Sequence, residues 1–264
     1  MAFVPPPPLP REHGAWTMLV IPMLLGLAAG GARSGAAWLV PPAAVFVFLA
    51  HHAIVPWAQR VLERKASPLG YAVRRLGWGA VYLSGGALVC SCAVLAARPS
   101  ARGPFLAIAG VAAALAAVYA VASVLGRARS IGFEALGLAG VSLSAPMMAA
   151  AAGRPPGRSL FGAAALALGY FFSSIAYVRA YERLRENRRA AILWCVAAHV
   201  ALAAALVAVA FYGALPAWWW IAFVPVFSRT VWGLAVPPSN VRRVGLREAW
   251  VAASFTLLAC VALG

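Results

Sequence analysis

The sequence predicts an all-α polytopic membrane protein, and three observations carry that reading. Of its 264 residues, 64% are hydrophobic and only 11% are charged, with a mean hydropathy of +0.85. Soluble domains carry about 25% charged residues and lie far from this balance. Apolar stretches near the ~20 residues needed to cross a hydrocarbon core recur along the whole chain. Runs such as "GVAAALAAVYAVASVLG" show none of the period-two alternation that a membrane barrel strand requires.

The windows fall at 15–31, 36–55, 76–97, 103–125, 131–152, 159–178, 190–212, 216–235 and 247–264. They predict about nine transmembrane helices in one domain, 15–264, preceded by a cytoplasmic Pro-rich segment, 1–14. The first window ends in "LAAGGA", which mimics a cleavable signal, but Pro5 to Pro8 stand where a basic n-region belongs, so it reads as a retained span. "GFEALGLAG" and "LFGAAALALG" in the fifth and sixth windows are dense in small residues. These let helix backbones approach closely where lipid removes the hydrophobic drive between helices. His199 lies near the middle of the seventh window. Trp218 to Trp220 open the eighth as an aromatic interfacial belt. Cys90, Cys92, Cys195 and Cys260 all fall inside apolar runs and read as small buried hydrophobes, not as a disulfide framework.

The formal net charge of +16 is explained by loops held at the cytoplasmic face, and no nucleic-acid-binding module is readable. With the N-terminus inside, the inner segments hold seventeen basic residues and the outer segments five: Arg33, Arg98, Arg102, Arg154 and Arg158. This bias predicts a bacterial cytoplasmic membrane location, with the C-terminus outside. All six glutamates, Gln59, Asn187 and three of the four histidines fall on the inner side of the same partition. Chemistry or binding is therefore expected at the cytoplasmic face, with the bilayer as the constant partner.

Three constellations stand out. "SSIAYVRAYERLRENRR" carries Tyr170, Ser174, Tyr177 and Tyr181 at helical spacing along one face of the sixth span. Glu182 and Glu186 follow, four apart. Two such carboxylates suit a divalent cation, and the neighbouring arginines suit phosphate oxygens; mutual salt bridges at a solvated helix end are the plainer alternative. The stretch after the second span holds His51, His52, Gln59, Arg60, Glu63, Arg64 and Lys65, with Pro56 expected to break or kink the helix between the histidines and Gln59. His51, His52, His13 and Glu12 are candidates for a metal site or proton relay, against a bland interfacial role. Arg229 sits within the otherwise apolar eighth span, where a charge at mid-membrane costs roughly 2.5–3.5 kcal/mol. It either snorkels inward or faces a polar cavity.

The opening "PREHGAW" followed by "TMLVIPMLLG" resembles the YwiC-like membrane protein family, a resemblance that implies membrane class without implying a reaction. The layout also resembles UbiA-type intramembrane prenyltransferases, with nine helices and polar inner loops after helices two and six. That similarity implies Mg²⁺ held by Glu63, Glu182 and Glu186 and an isoprenyl diphosphate or other phosphate-bearing lipid in a cytoplasm-facing cavity. Arg60 and Arg229 would neutralise phosphate, Tyr177 and Tyr181 would shape the cavity, and the Glu12–His13 segment would form its lip. The chain departs from the UbiA pattern in containing no aspartate. The alternative expectation is a transporter or lipid-handling protein without covalent chemistry, in which Glu12, His13 and His51 gate protons or an anionic solute.

Overall fold

A computed structural model describes residues 6–10, 13–30, 34–154, 157–184, 186–236 and 241–264, and every regular element among them is helical. In chain order these are α1 (His13–Ala28), α2 (Val40–Leu62), α3 (Leu69–Ala96), α4 (Pro99–Val124), α5 (Ile131–Ser142), α6 (Ser144–Ala151), α7 (Arg158–Arg183), α8 (Arg188–Phe211), α9 (Val224–Ala235) and α10 (Val241–Leu263). Short 3-10 turns, Ala37–Leu39 and Trp219–Phe223, lead into α2 and α9. Among the described residues, seven segments are long and apolar enough to cross a membrane, with α5 and α6 together making one of them. This is an integral membrane protein. The first and eighth predicted spans are the shorter ones: α1 has an apolar stretch of Trp16–Ala28, and α9 is a 12-residue helix continuing a 3-10 turn.

The interruption before α9 follows from Pro225. Its missing N–H is harmless in the first turn of a helix, but it cannot donate to the Ile221 carbonyl one turn earlier, which accepts from the Val224 N–H in the 3-10 manner instead. The chain ahead of it is accordingly 3-10. Trp218 and Trp220 of this turn are exposed, as an interfacial belt requires, while Trp219 turns inward onto Phe223.

α1 is apolar on all sides, and its surroundings explain why. Ile21 and Leu25 belong to a core shared with α5, α7, α8, α9 and α10. Leu19 and Met23 belong to a second core shared with α2, α3, α4 and α6. The helix therefore packs into both lobes, as expected of a segment that is hydrophobic all round. Gly26 brings its backbone against Ala145 of α6, where an added Cβ would meet backbone atoms at 2.9 Å.

Of the break or kink expected at Pro56, the structure excludes the break: α2 runs on to Leu62, so His51, His52, Gln59 and Arg60 all lie on one helix. Pro56 cannot donate to the carbonyl of His52, and Arg75 of α3 donates to that carbonyl instead, Nη1 at 2.8 Å. The freed acceptor is satisfied from the neighbouring helix, which is how membrane helices tolerate proline. We predict that Arg75→Met destabilises the protein by about 1–2 kcal/mol through an orphaned acceptor. In chemical unfolding in detergent, the loss should shrink in a Pro56→Ala background, where the missing N–H is restored. On the same side, Arg74 grips the carbonyl of Pro6 at 2.6 and 3.0 Å, tying the Pro-rich segment to the start of α3.

Candidate functional site

A chain of polar side chains, all but Ser174 and Glu248 buried, crosses the lobe that holds α7 to α10, and four helices each supply part of it. α7 contributes Ser173 and Ser174, α8 Cys195 and His199, α9 Arg229 and Thr230, and α10 Glu248. Ser173 and His199 lie near the middle of the spans Phe161–Arg183 and Arg188–Phe211. In hydrocarbon such groups must satisfy one another, because no water is at hand to do it.

The centre is an ion pair. Arg229 Nη1 lies 2.6 Å from both carboxylate oxygens of Glu248, and Nη2 donates to Ser173 Oγ at 2.8 Å. Glu248 also accepts from Ser174 Oγ at 2.5 Å. Because Ser173 receives the arginine's hydrogen, its own hydroxyl hydrogen is free to go to His199 Nε2, 2.8 Å away. His199 Nδ1 donates to the carbonyl of Cys195 at 2.8 Å, which fixes the tautomer as Nδ1–H with Nε2 accepting. Thr230 Oγ1 lies 3.0 Å from both Nε2 and the Val226 carbonyl, so its single hydrogen has two acceptors in reach. Arg229 and His199 are each only 6% exposed and Ser173 is fully enclosed.

Aromatic rings frame the pair. Tyr177 lies beneath the guanidinium, with Arg229 Cζ 4.5 Å from its centroid. Tyr170 stacks on Phe255 of α10 at 4.7 Å. Tyr177 is wholly buried, and its hydroxyl occupies the space a side chain would take at Gly233. Glycine is needed there, since any Cβ would collide with the phenol. Among the described residues Arg229 Nε has no hydrogen-bond partner, and the guanidinium of Arg247 stands beside the Tyr177 hydroxyl.

The hydroxyl-bearing face of α7 read from the sequence thus points at α9 and α10, and it brings Tyr177 together with Arg229. Other expected site residues lie elsewhere. His51 stacks on Tyr119 of α4 at 5.5 Å, inside an aromatic group that includes His52, Phe48 and Trp16. Arg60 lies over Tyr71 at 4.7 Å. Glu63 is exposed and paired with Lys65 at 2.6 Å. Tyr181 is half-buried at the end of α7, beside exposed Glu182. Glu186 lies beyond the end of α7 at Arg183, so the helical face it was expected to share with Glu182 is not formed. Arg179 turns to Glu134 of α5, 2.9 Å away. No three His, Cys, Asp or Glu side chains converge as a metal site would need among the described residues. Glu12 and the His13 side chain lie outside the described residues.

A family model described as "YwiC-like protein" matches residues 9–149, more than half of the chain. This chain belongs to the YwiC-like family. No curated protein and no solved structure matches it. The matched part of this YwiC-like protein runs from the Pro-rich segment through most of α6, including the histidine–aromatic group and the Arg75 cap. The Arg229–Glu248 network lies wholly on the four helices that follow. Glu248, Ser173 and His199 had not been joined to Arg229 by spacing. The available signal was that His199, like Arg229, is an ionisable residue set inside an apolar run, and such residues face functional interiors by default.

Proposed function

We propose that this protein is a carrier, moving its cargo across the bilayer without covalent chemistry, and that the Arg229–Glu248 pair is its proton-linked gate. The observation that supports this most is the placement of a charged pair inside the bundle, with Arg229 on a short helix that continues a 3-10 turn and Glu248 on α10. Discontinuous helices with intramembrane charges are a recurring feature of transport sites. A pair that served only as a connector would be matched or bettered by apolar packing of similar volume. Protonation of Glu248 cancels the charge that holds Arg229 and weakens the link from α10 to α7 and α9. The groups around Glu248 are Arg229 from α9, Ser174, Tyr170 and Tyr177 from α7 and, beside Tyr177, Arg247 of α10 itself, with His199 reached through Arg229 and Ser173. α1, also packed on α10, brings no charged side chain from its described positions. In this reading the arginine-rich helix ends face the cytoplasm of a bacterial cell.

The test is charge displacement in liposomes adsorbed to a solid-supported electrode. A step to lower pH is expected to evoke a transient current from wild-type protein and none above empty liposomes from Glu248→Gln. A wild-type signal equal to that of empty liposomes would contradict the proposal. Mg²⁺-dependent binding of farnesyl diphosphate to the same preparation, lost in Glu182→Gln/Glu186→Gln, would put isoprenyl-diphosphate binding or transfer in its place.

A further inference from the structure

We infer that the start of α8 is the seat of one anionic phospholipid, its phosphate held by Arg188 and Arg189 and the upper part of an acyl chain lying on Ile192 and Leu193. These four side chains line a groove on the surface of the helix. Arg188 and Arg189 open both α8 and the apolar span Arg188–Phe211, so they lie at headgroup depth whichever leaflet that end meets. Ile192 and Leu193 follow one turn on, about 6 Å deeper at about 1.5 Å per residue, where the chains of a lipid begin. Leu193 is 60% exposed. Ile192 packs against a small core of Ala180, Cys195 and Leu234, which ties α8 to α7 and α9 and fixes the wall of the groove. Charged end and apolar end thus come in the order in which a phospholipid presents its parts.

Charge decides the kind of lipid. Among the described residues the ion pairs are Lys65–Glu63, Arg179–Glu134 and Arg229–Glu248. Neither Arg188 nor Arg189 therefore has a carboxylate partner, although Glu182 and Glu186 are close in sequence and exposed. Two cations in the first turn also stand at the end of the helix dipole that favours anions. Asn187 accepts the Ala190 N–H with its side chain and the Ala191 N–H with its carbonyl. A phosphodiester supplies the missing negative charge, and its oxygens match the fork of a guanidinium. Arg183 at the end of α7 adds a third cation nearby, its Cζ 6.0 Å from the ring centroid of Trp194, the residue after Leu193. A zwitterionic lipid would bring its own ammonium against these arginines. A free anion would leave the apolar half of the groove without a use.

The experiment uses full-length protein stripped of lipid in detergent and titrated with phosphatidylglycerol or with phosphatidylcholine of the same chains. Bound lipid is counted by native mass spectrometry. Wild type should bind one phosphatidylglycerol at least about tenfold more tightly than phosphatidylcholine, since each arginine near an anionic surface multiplies affinity about fivefold. The preference should vanish in Arg188→Gln/Arg189→Gln and survive in Arg64→Gln/Lys65→Gln, which removes the same charge from the loop after α2. Leu193→Asn leaves every charge in place and should still weaken phosphatidylglycerol several-fold, through lost apolar contact. All these side chains are exposed, so the variants should fold, and an unchanged melting temperature would check it. Equal binding of the two lipids by wild type would overturn the inference. Equal losses in the two charge variants would do the same, by showing a diffuse basic surface in place of a seat. So would wild-type affinity in Leu193→Asn, or displacement of the lipid by inorganic phosphate, either of which would leave an anion site without a groove.

Discussion

Glu248→Leu alone should cost about 3–5 kcal/mol of stability, because it leaves the Arg229 guanidinium buried with no counter-charge. The arginine is 6% exposed, and among the described residues its hydrogen-bond acceptors are the two oxygens of Glu248 and Ser173 Oγ. A serine oxygen cannot balance a full charge in hydrocarbon. Removing both charges should behave differently. In Arg229→Met/Glu248→Leu the buried charge is gone, both replacements are apolar, and much of the lost stability should return. Ser173 can still donate to His199 in the double variant, since that bond does not use the arginine. Unfolding followed by near-ultraviolet circular dichroism in detergent would compare the three proteins. A single variant as stable as wild type would mean that the charge reaches water and the site is not enclosed.

The second large effect lies at the junction of the two lobes. Gly26→Val is expected to cost about 3 kcal/mol, near the upper end for overpacking, because the added atoms meet the Ala145 backbone, which cannot rotate away. Van der Waals fit carries more of the association of membrane helices than the hydrophobic effect does. Gly110 on α4 provides the control, since nothing lies within 4 Å of an added Cβ there. Gly110→Ala should be neutral or slightly stabilising, as alanine restricts the unfolded chain more than glycine does. Equal losses at both positions would show that α1 does not depend on its approach to α6.

The class of fold was legible because hydrophobic length is a local property. Each of the nine windows overlaps helix in the structure, and the small-residue stretches that hold Gly137 and Gly162 are places of close approach. Helix ends were less legible. The second window stops at residue 55, whereas α2 reaches Leu62, because the group that repairs the break at Pro56 is Arg75, on another helix and 23 residues from the carbonyl it caps. A local pattern carries no information about such a donor. Glu186 failed in the opposite direction: the four-residue spacing suggested a shared face, but α7 ends at Arg183 and Asn187 caps the next helix through a bond to the Ala190 N–H.

The candidate site was legible in its parts and not in its assembly. Tyr177 and Arg229 draw attention as a hydroxyl on a helical stripe and a charge in an apolar span. His199 was visible as a lone mid-span histidine. Glu248 reads as one more acid at an arginine-rich helix start until α10 is seen to bring it within 2.6 Å of Arg229. Sequence separation explains the gap, since Ser174 and Glu248 are 74 residues apart and their meeting depends on the packing of whole helices. The inner-loop glutamates were prominent for the converse reason: their crowding in sequence suggests a ligand set, and Glu63 pairs with a neighbouring lysine instead.

The central claim is that the Arg229–Glu248 pair does more than fasten helices together, and the double variant tests it most directly. Reconstituted Arg229→Met/Glu248→Leu, checked to be folded and inserted at wild-type levels, would be subjected to the same pH step on the supported electrode. The predicted result is a stable protein whose signal equals that of empty liposomes. A stable double variant with the wild-type current would contradict the account and leave the pair as a structural connector.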